Sequence, residues 1–560
     1  MAKYNRAPVS PVAVQPVKAP VGVIGTKKSG KQAATFEGHE GFERKDKSAL
    51  FLLAAGSLGG EDKFYESGNE STKRLVELVR KVAAKDPEWI FDFLMWLRSE
   101  GNIRTASIVG AVEAADVISK FKMPSGIARK MVSGVLQRAD EPGEAMAYWL
   151  ATRGRNVLMP KPIKRGIADG ARRLYNEFSF LKYDSDRSTV RFGDVIEMVR
   201  PQPRKTPDSN WQSDLFRYAI EKRHGRDTEP GKSLEMIRAQ IVLRRLAEHS
   251  PEALLEPEAL QAAGMTWEDA LSLAGQVKLD KSKVWKAILP SLGIMALIRN
   301  MRNLDEAKVS DYDVAKAIAR IEDPVQIAKS RQLPFRFYSA YKAVQDISVR
   351  WSQALDVALN LSLKNIPSLG GRTLILIDTS QSMSGGRLSG KSAMTYQEVA
   401  GLFGIALGLK GEADVYGWAD SPFLFPMKGT SVLKNLERYM GMNGCVGYGT
   451  NLSAAIRKSY VPGKYARMVV ISDMQVQRYA AGTIPTDIPC YFYNLAGYAP
   501  AAVETTGRVY ELGGLTDHTF KMIPMLEAGE SGRWPWEKSP EELLLEKMGR
   551  AEEVVQSLLL

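Results

Sequence analysis

An aspartate and two serines follow one strongly apolar stretch of the sequence, in the run Asp378-Thr379-Ser380-Gln381-Ser382. The stretch before them, Leu374 to Ile377, has no polar alternation, which is typical of a parallel strand buried on both faces. Side chains at the carboxyl end of such a strand lie where open α/β sheets bind their ligands. One carboxylate and two hydroxyls supply hard oxygen ligands, which Mg²⁺ and Mn²⁺ prefer. The run therefore predicts a divalent-cation site.

Two later segments offer further oxygen ligands. A glycine-rich loop carries the hydroxyl of Thr450 and opens a predicted helix from Leu452 to Ser459, and a second apolar strand ends in the carboxylate of Asp473. This order of D-x-S-x-S, then Thr, then a strand-end Asp resembles the metal-ion-dependent adhesion site of von Willebrand factor A domains. The resemblance implies that a metal, Mg²⁺ foremost with Mn²⁺ or Ca²⁺ as alternatives, is held directly or through water by Asp378, Ser380, Ser382, Thr450 and Asp473. A carboxylate from a partner would complete the shell.

Two other interpretations of the run remain open. Asp378 and Ser380 could cap the helix that follows, although five residues of the expected types in the right order favour the metal. Asp378 could instead be the nucleophile of a metal-dependent phosphohydrolase, but that chemistry usually has a second acid where Ser380 stands. No nearby histidine or lysine offers itself as a base. The sequence therefore predicts a binding site, and no enzyme.

Composition excludes several classes of protein. The 560 residues are too many for one ordinary core, so two or more domains are expected. The two cysteines, Cys445 and Cys490, provide no disulfide framework and no cysteine-based zinc site, and the four histidines show no ligand spacing. No apolar run approaches the about 20 residues that a membrane span requires, and the N-terminus lacks the apolar core of a signal peptide. We therefore expect a cytoplasmic protein with no membrane partner.

The excess of positive charge lies in the first two thirds of the chain. The formal net charge is +12; residues 371–560 hold 18 Lys and Arg against 19 Asp and Glu, which leaves 58 against 45 for residues 1–370. A basic unit joined to a near-neutral one suggests a polyanionic partner for the basic unit. A modest positive excess also serves solubility alone.

The hydropathy pattern divides the chain into three parts. Residues 1–42 are basic and proline-containing, with no acid before Glu37, and predict a disordered arm. Residues 43–366 show apolar positions at helical spacing and no strands, which indicates stacked helical hairpins. Helices are predicted at 48–57, 71–82, 90–97, 103–120, 127–137, 144–152, 163–176, 234–248, 267–274, 283–299, 309–321 and 351–360.

Residues 367–560 instead alternate between strands and helices, as an α/β domain does. After the strand that ends at Asp378, the pattern predicts helices at 395–409 and 432–440 and strands at 413–418, 468–471, 489–494 and 508–512. An acidic, amphipathic helix is predicted for residues 540–560.

Several short strings in the helical part resemble the TROVE module of the Ro autoantigen family. They are Phe51–Gly60, Glu61–Tyr65, Val284–Leu289, Met295–Asn300 and Leu333–Phe335. A von Willebrand factor A domain follows directly, as it does in Ro proteins. The resemblance implies a ring of HEAT-like helical repeats whose ends the parallel-sheet A domain joins. It also implies binding of a Y or Y-like small RNA on the outer rim, and of single-stranded 3′ ends of misfolded RNA in the central hole.

The residues themselves support an RNA surface. Residues 152–205 hold thirteen Lys and Arg against six acids, interleaved with Tyr175, Phe178, Phe180 and Tyr183. Cations neutralise phosphates and aromatic rings stack on unpaired bases, although a solvated basic face over an aromatic core would give the same pattern. The string Leu181-Lys182-Tyr183 resembles the stretch that contacts Y RNA in the family. The expected RNA-binding residues are Lys161, Lys164, Arg165, Arg172, Arg173, Lys182, Arg187 and Arg191.

The function expected from these patterns is that of a non-catalytic, monomeric RNA-binding protein within a ribonucleoprotein, acting in RNA quality control or processing. An exoribonuclease is the partner that the family resemblance implies. The alternative is a protein-binding adaptor, in which the metal site engages an acidic residue of an ATPase or another partner without RNA.

Overall fold

The computed structural model describes residues 33–34, 40–41, 46–56, 68–121, 125–204, 210–385, 394–473, 482–495, 508–513 and 519–530. Strands β1 (Ala33–Ala34) and β2 (Glu40–Gly41) form a short antiparallel pair. Most of the predicted arm at 1–42 and the whole of the predicted helix at 540–560 lie outside the described residues.

Helices dominate the chain as far as residue 365, as the hydropathy pattern predicts. Three short 3-10 helices cover Pro251–Leu255, Leu289–Ser291 and Leu363–Asn365. The α-helices are α1 (Asp46–Gly56), α2 (Gly68–Lys85), α3 (Pro87–Ser99), α4 (Arg104–Lys120), α5 (Ser125–Val135), α6 (Glu141–Arg153), α7 (Lys161–Leu174), α8 (Glu177–Tyr183), α9 (Phe192–Val199), α10 (Trp211–Arg223), α11 (Glu235–His249), α12 (Pro257–Ala262), α13 (Trp267–Gln276), α14 (Lys281–Ile288), α15 (Ile294–Glu306), α16 (Asp311–Ile321), α17 (Pro324–Ser330), α18 (Pro334–Val344) and α19 (Val349–Ser362).

One predicted helix is wrong. The pattern at 283–299 suggests a single helix, but the structure breaks it after Ile288 and restarts it at Ile294. Pro290 lies in the break and has no backbone N–H to continue the helical ladder. Each of the two segments has apolar positions at helical spacing, and the prediction joined them into one helix.

Close packing of α7 on α5 determines which face of α7 is free. A Cβ atom added at Gly166 would lie 2.7 Å from Cβ of Val132, and one added at Gly170 would lie 2.7 Å from Cδ1 of Leu136. Glycine at both positions therefore lets the two helices approach each other. The opposite side of α7 is left to solvent, and it carries the cations described below.

The second part of the chain is an α/β domain around a six-stranded sheet. Its strands follow the order β5-β4-β3-β6-β7-β8, parallel except for the antiparallel edge strand β5. They are β3 (Thr373–Asp378), β4 (Ala413–Trp418), β5 (Pro422–Leu424), β6 (Arg467–Ser472), β7 (Cys490–Asn494) and β8 (Val509–Gly513). The helices are α20 (Gln381–Gly385), α21 (Tyr396–Lys410), α22 (Val432–Met440), α23 (Leu452–Ser459) and α24 (Thr519–Glu530).

The strand order reverses between β3 and β6. From β3 the chain moves to β4 on one side, and from β6 it moves to β7 and β8 on the other. Such a reversal opens a crevice at the carboxyl ends of the two central strands, which is the ordinary ligand site of open α/β sheets. Asp378 ends β3 at this crevice, and Asp473 follows β6 there.

The α/β domain contacts both ends of the helical array. On one side α18 and α19 pack on α21 and α22, where Tyr338 Oη donates to Glu398 Oε1 at 3.0 Å and Lys342 Nζ pairs with the same carboxylate at 3.0 Å. On the other side α1 packs on α24 and β8, and Lys521 Nζ donates to the carbonyl oxygen of Glu100 at 2.9 Å. The helices thus close into a ring through the α/β domain, which confirms the predicted fold class. Within the described ranges, no helix has the length and apolar character needed to cross a membrane.

Candidate metal site and candidate RNA surface

Asp378 lies at the centre of the candidate metal site. Its side chain is fully buried at the end of β3. One carboxylate oxygen, Oδ1, accepts a hydrogen bond from the backbone N–H of Ser380 at 2.8 Å, and Oδ2 accepts one from the hydroxyl of Ser472 at 2.5 Å. These two bonds fix the orientation of the carboxylate.

The two serines of the run lie beside each other. The hydroxyl oxygens of Ser380 and Ser382 are 3.2 Å apart, close enough to face one ligand. The chain turns into α20 at Gln381, which brings the second hydroxyl back over the first. The structure therefore brings together the three residues of the D-x-S-x-S run as the sequence predicts.

Asp473 is placed next to Asp378 by the pairing of β3 with β6. Ile377 lies opposite Ile471 in the parallel register, and Asp473 is buried like Asp378. Burial raises the pKa of Asp378 to about 7, and the neighbouring charge of Asp473 adds to the increase, while hydrogen bonds from Ser472 and Ser380 oppose it. Two buried carboxylates at one point favour a cation, since desolvated negative charge is costly without a counter-charge.

The loop that carries Thr450 is held against the ends of β3 and β4. The backbone N–H of Gln381 donates to the carbonyl of Tyr448 at 3.3 Å, and the N–H of Asn451 donates to the carbonyl of Ala419 at 2.9 Å. These bonds bring the neighbourhood of Thr450 to the same edge of the sheet as Asp378.

Asp420 fixes the shape of this loop. Its backbone N–H donates to the carbonyl of Val446 at 3.2 Å, and its carboxylate lies within the loop. A Cβ atom added at Gly447, where φ is +86°, would be 1.8 Å from Asp420 Oδ2, and one added at Gly449 would be 2.0 Å from Oδ1. Only glycine fits at either position while the carboxylate stays there.

The donor set suits a hard divalent cation. Two carboxylates and three hydroxyls match the oxygen preference of Mg²⁺, which is commonly held by one or two carboxylates and water. Within the described part of the chain, no three His, Cys, Asp or Glu residues come together as a metal cluster, and the donors here include only two carboxylates. Sequence reasoning missed Ser472, whose only signal is a hydroxyl residue directly before the strand-end Asp473.

The exposed side of α7 carries four of the eight predicted RNA-binding cations. They recur at a spacing that places them on one side, opposite the buried Ile163 and Ile167. None of these side chains forms an ion pair or hydrogen bond with any other described residue. We call them the α7 stripe: Lys161, Lys164, Arg165 and Arg172.

Arg173 does not belong to this stripe. Its guanidinium turns to α5, where it donates to the carbonyl oxygen of Ser133 at 2.7 Å and to that of Leu136. It therefore links two helices, and its cation is less available to an external partner than those of the stripe.

Helix α8 carries a lysine side chain that lies beside two aromatic rings. Lys182 Nζ lies 5.5 Å from the ring centre of Phe178 and 5.3 Å from that of Tyr183. Phe178 is 44% exposed, whereas Tyr175 and Phe180 are buried in the core. The aromatic residues of this region thus divide into two that reach solvent and two that hold the fold.

The two arginines that follow α8 have different surroundings. Arg187 is exposed, and its side chain has no partner within the described residues. Arg191 instead pairs with Asp184 at 2.5 Å and with Asp186 at 2.5 Å, and its side chain is only 14% exposed. Arg191 therefore holds the loop between α8 and α9.

Comparisons with known proteins agree with this fold. The family described as the TROVE domain matches residues 260–350. Telomerase protein component 1 of Rattus norvegicus and that of Mus musculus are each 22% identical to this chain over 354 residues. That match covers 55% of this chain but only 13% of the length of those proteins.

A solved structure has a similar overall fold. The crystal structure of the Deinococcus radiodurans RO (RSR) protein matches with a TM-score of 0.65 and 16% sequence identity, covering 87% of this chain and 100% of the other. The helical ring and the α/β domain that closes it, together with the TROVE match over residues 260–350, agree with the resemblance to Ro proteins read from the sequence.

Proposed function

We propose that this protein binds RNA as a component of a ribonucleoprotein. The α7 stripe is the observation that carries the proposal: four cations share one helix side and have no partner among the described residues. Cations without an internal partner bind phosphates without first breaking an ion pair, and their association with RNA releases counterions. The match of residues 260–350 to the TROVE domain, and the names of the Ro and telomerase proteins that the chain resembles, support the same conclusion.

The stripe and α8 suit different parts of an RNA. The α7 stripe offers charge only, and so it suits the sugar-phosphate backbone of a folded RNA. Lys182, Phe178 and Tyr183 offer charge beside partly exposed rings, which suits a base that is not stacked in a helix. We propose that a Y-like small RNA binds this outer surface, with Arg187 as a further contact.

The ring also suits a role in handling loose RNA. We propose that single-stranded 3′ ends of misfolded or decaying RNA enter the central hole, that the protein acts there as a monomer without catalysing a reaction, and that an exoribonuclease receives the RNA. The site around Asp378 would hold Mg²⁺ through Asp378, Ser380, Ser382, Thr450 and Asp473. The ion would offer a positive centre to the carboxylate of a protein partner.

A charge reversal on the stripe tests RNA binding. The affinity for a labelled hairpin RNA with a single-stranded tail is measured by fluorescence anisotropy for the parent and for the triple variant Lys161→Glu, Arg165→Glu, Arg172→Glu. We expect the dissociation constant to rise by about tenfold or more, since three phosphate contacts become repulsive.

A matched triple variant in the α/β domain provides the control. Lys434→Glu, Arg457→Glu and Lys458→Glu change the charge by the same amount at exposed positions on α22 and α23. This variant should bind RNA nearly as the parent does. Equal affinity of both triple variants, or no binding by the parent, would overturn the proposal.

A second candidate function is that of a protein-binding adaptor. The cluster of hydroxyls and buried carboxylates at the sheet crevice favours it, because a cation held there would face a partner's acidic residue. The presence of bound nucleic acid in the purified protein distinguishes the two functions. The adaptor alone would purify without RNA and bind its partner in a divalent-dependent way that Asp378→Ala abolishes.

A further inference from the structure

The loop between α6 and α7 exposes an apolar side chain almost completely. Leu158 is 92% exposed, the highest value of any large hydrophobic residue that the structure describes, and its neighbour Val157 is 48% exposed. Full exposure of a leucine forgoes the free energy that its burial would supply. Leu158 and Val157 together form a small contiguous apolar surface, and such surfaces mark interaction sites when other apolar and charged groups adjoin them.

The loop is held at both ends. The backbone N–H of Gly154, where φ is +83°, donates to the carbonyl of Leu150 at 3.0 Å, and the indole N–H of Trp149 donates to the carbonyl of Val157 at 3.5 Å. Lys161 then begins α7 directly after Pro160. These bonds anchor the start of the loop and Val157, the residue directly before Leu158.

A second exposed apolar side chain lies at the same end of the neighbouring helices. Arg153, the last residue of α6, pairs with Glu113 at 2.8 Å and with Asp116 at 3.1 Å, so the ends of α4 and α6 lie side by side. Phe121 follows the last residue of α4 and is 65% exposed. Its ring can stack on a base, since every base has an aromatic face.

Cations precede and follow Leu158 in the chain. Arg155 lies in the loop itself, and Lys161 and Arg165 of the α7 stripe follow within two turns of helix. Binding an apolar protein surface here would bury those cations without counter-charges, which is costly. An RNA with unpaired bases matches both features, because its phosphates pair with the cations and its bases contact the apolar groups.

We propose that Leu158 and Phe121 pack against unpaired bases of the RNA whose phosphates the α7 stripe binds. This inference rests on the proposed RNA-binding function and adds a preference for unpaired over fully paired RNA. The apolar contacts carry no charge. They should therefore change affinity without changing the number of counterions released.

The test compares two RNAs of equal length, one a hairpin with a single-stranded tail and the other a fully paired duplex. Each is titrated against the parent, against Leu158→Ser and against the double variant Leu158→Ser, Phe121→Ser. We expect Leu158→Ser to weaken binding of the tailed RNA by about three- to tenfold and the double variant to weaken it further. The duplex affinity and the slope of log affinity against log salt should stay at the parent's values.

Leu424→Ser is the matched control, because Leu424 is also an exposed leucine, 54% exposed, and lies on the edge strand of the α/β domain. Tailed-RNA affinity of Leu158→Ser equal to that of this control, or equal losses for both RNAs, would overturn the inference. If the stripe variant loses RNA affinity while Leu158→Ser does not, the RNA-binding function is supported and the contact with unpaired bases is rejected. If the parent binds neither RNA, both the RNA-binding function and the base contact are rejected.

Discussion

The hydroxyl of Ser472 donates a hydrogen bond of 2.5 Å to Oδ2 of Asp378 across two parallel strands. The residues are 94 positions apart in the sequence and meet because β3 and β6 are neighbours at the point where the strand order reverses. The bond leaves the Asp378 carboxylate buried and fixed in one orientation. A cation that binds there would meet a ligand that needs no rearrangement.

Removal of the Asp378 carboxylate should abolish stabilisation by divalent cations. A ligand that binds only the folded state at 100 times its dissociation constant adds about 2.7 kcal/mol to the free energy of unfolding. We therefore expect Mg²⁺ or Mn²⁺ to raise the Tm of the parent by a few degrees and to leave that of Asp378→Ala unchanged. Differential scanning fluorimetry with and without the cation measures both. The control variant Glu412→Ala, at an exposed position of the same domain, should show the same increase in Tm as the parent. A parent Tm that is equal with and without the cation would contradict the metal site.

Gly447→Ala should disturb the loop that carries Thr450. The added Cβ would collide with Asp420 Oδ2 at 1.8 Å, in a backbone conformation with φ of +86°. Gly463→Ala is the matched control, because it has a φ of +75° but no atom within 4 Å of the added Cβ. Both variants should lose about 1 kcal/mol from the backbone. Only Gly447→Ala should also lose affinity for Mn²⁺, measured by titration; equal Mn²⁺ affinity of the two variants would show that the loop does not position a ligand.

Arg191→Ala should act mainly on stability, and Lys182→Glu with Arg187→Glu mainly on RNA. Removing the Arg191 guanidinium leaves the buried carboxylate of Asp184 without its ion pair, at a cost of about 1 to 3 kcal/mol. The double variant removes no ion pair within the described residues and should keep the Tm of the parent while it weakens binding of folded RNA. Thermal melting and anisotropy on the same preparations separate the two effects. Unchanged RNA affinity in the double variant would reject the α8 surface.

Asp414 should make the α/β domain less stable in acid. Burial alone would raise its pKa, but hydrogen bonds from Arg372 at 2.6 Å, Lys464 at 2.6 Å and Tyr465 at 2.8 Å outweigh burial and hold the pKa below its ordinary value of 3.8. The unfolded state then binds more protons in acid, so this contribution is fully present above about pH 4 and disappears as the pH falls through the lowered pKa.

The variant Asp414→Asn isolates that contribution. We expect its Tm to lie below that of the parent at pH 7, with a difference of about 1 to 3 kcal/mol in the free energy of unfolding. The difference should shrink as the pH falls from 5 to 3. A difference that stays constant over this range would show that the carboxylate's charge does not stabilise the domain.

Much of the fold could be predicted because apolar spacing records which face of an element is buried. The uninterrupted run before Asp378 predicted a central strand, and the structure places it between β4 and β6. The break between α14 and α15 was missed because each segment has its own helical spacing of apolar residues, and the interruption is marked by Pro290 between them.

The candidate sites could be predicted only in part. Residue types and order identified the D-x-S-x-S run, but the position of Ser472 before Asp473 was too weak a signal, because a serine at the end of an apolar strand has many roles. A count of cations could not separate the α7 stripe from Arg173 and Arg191, since whether an arginine faces solvent or an internal acceptor depends on neighbours 5 to 40 residues away. Ring closure was expected from the family resemblance alone. It depends on the contact of α1 with α24, which lie far apart in the sequence, and apolar spacing does not record such a long-range contact.

The salt dependence of RNA affinity tests the central claim most directly. For the parent, the logarithm of the association constant with the tailed hairpin RNA should fall linearly with the logarithm of salt concentration. Each phosphate contact with a single strand contributes about 0.7 to that slope, so the variant Lys161→Glu, Arg165→Glu, Arg172→Glu should have a slope smaller by about 2. The same slope in the parent and in the variant, or a parent affinity that does not depend on salt, would contradict the account.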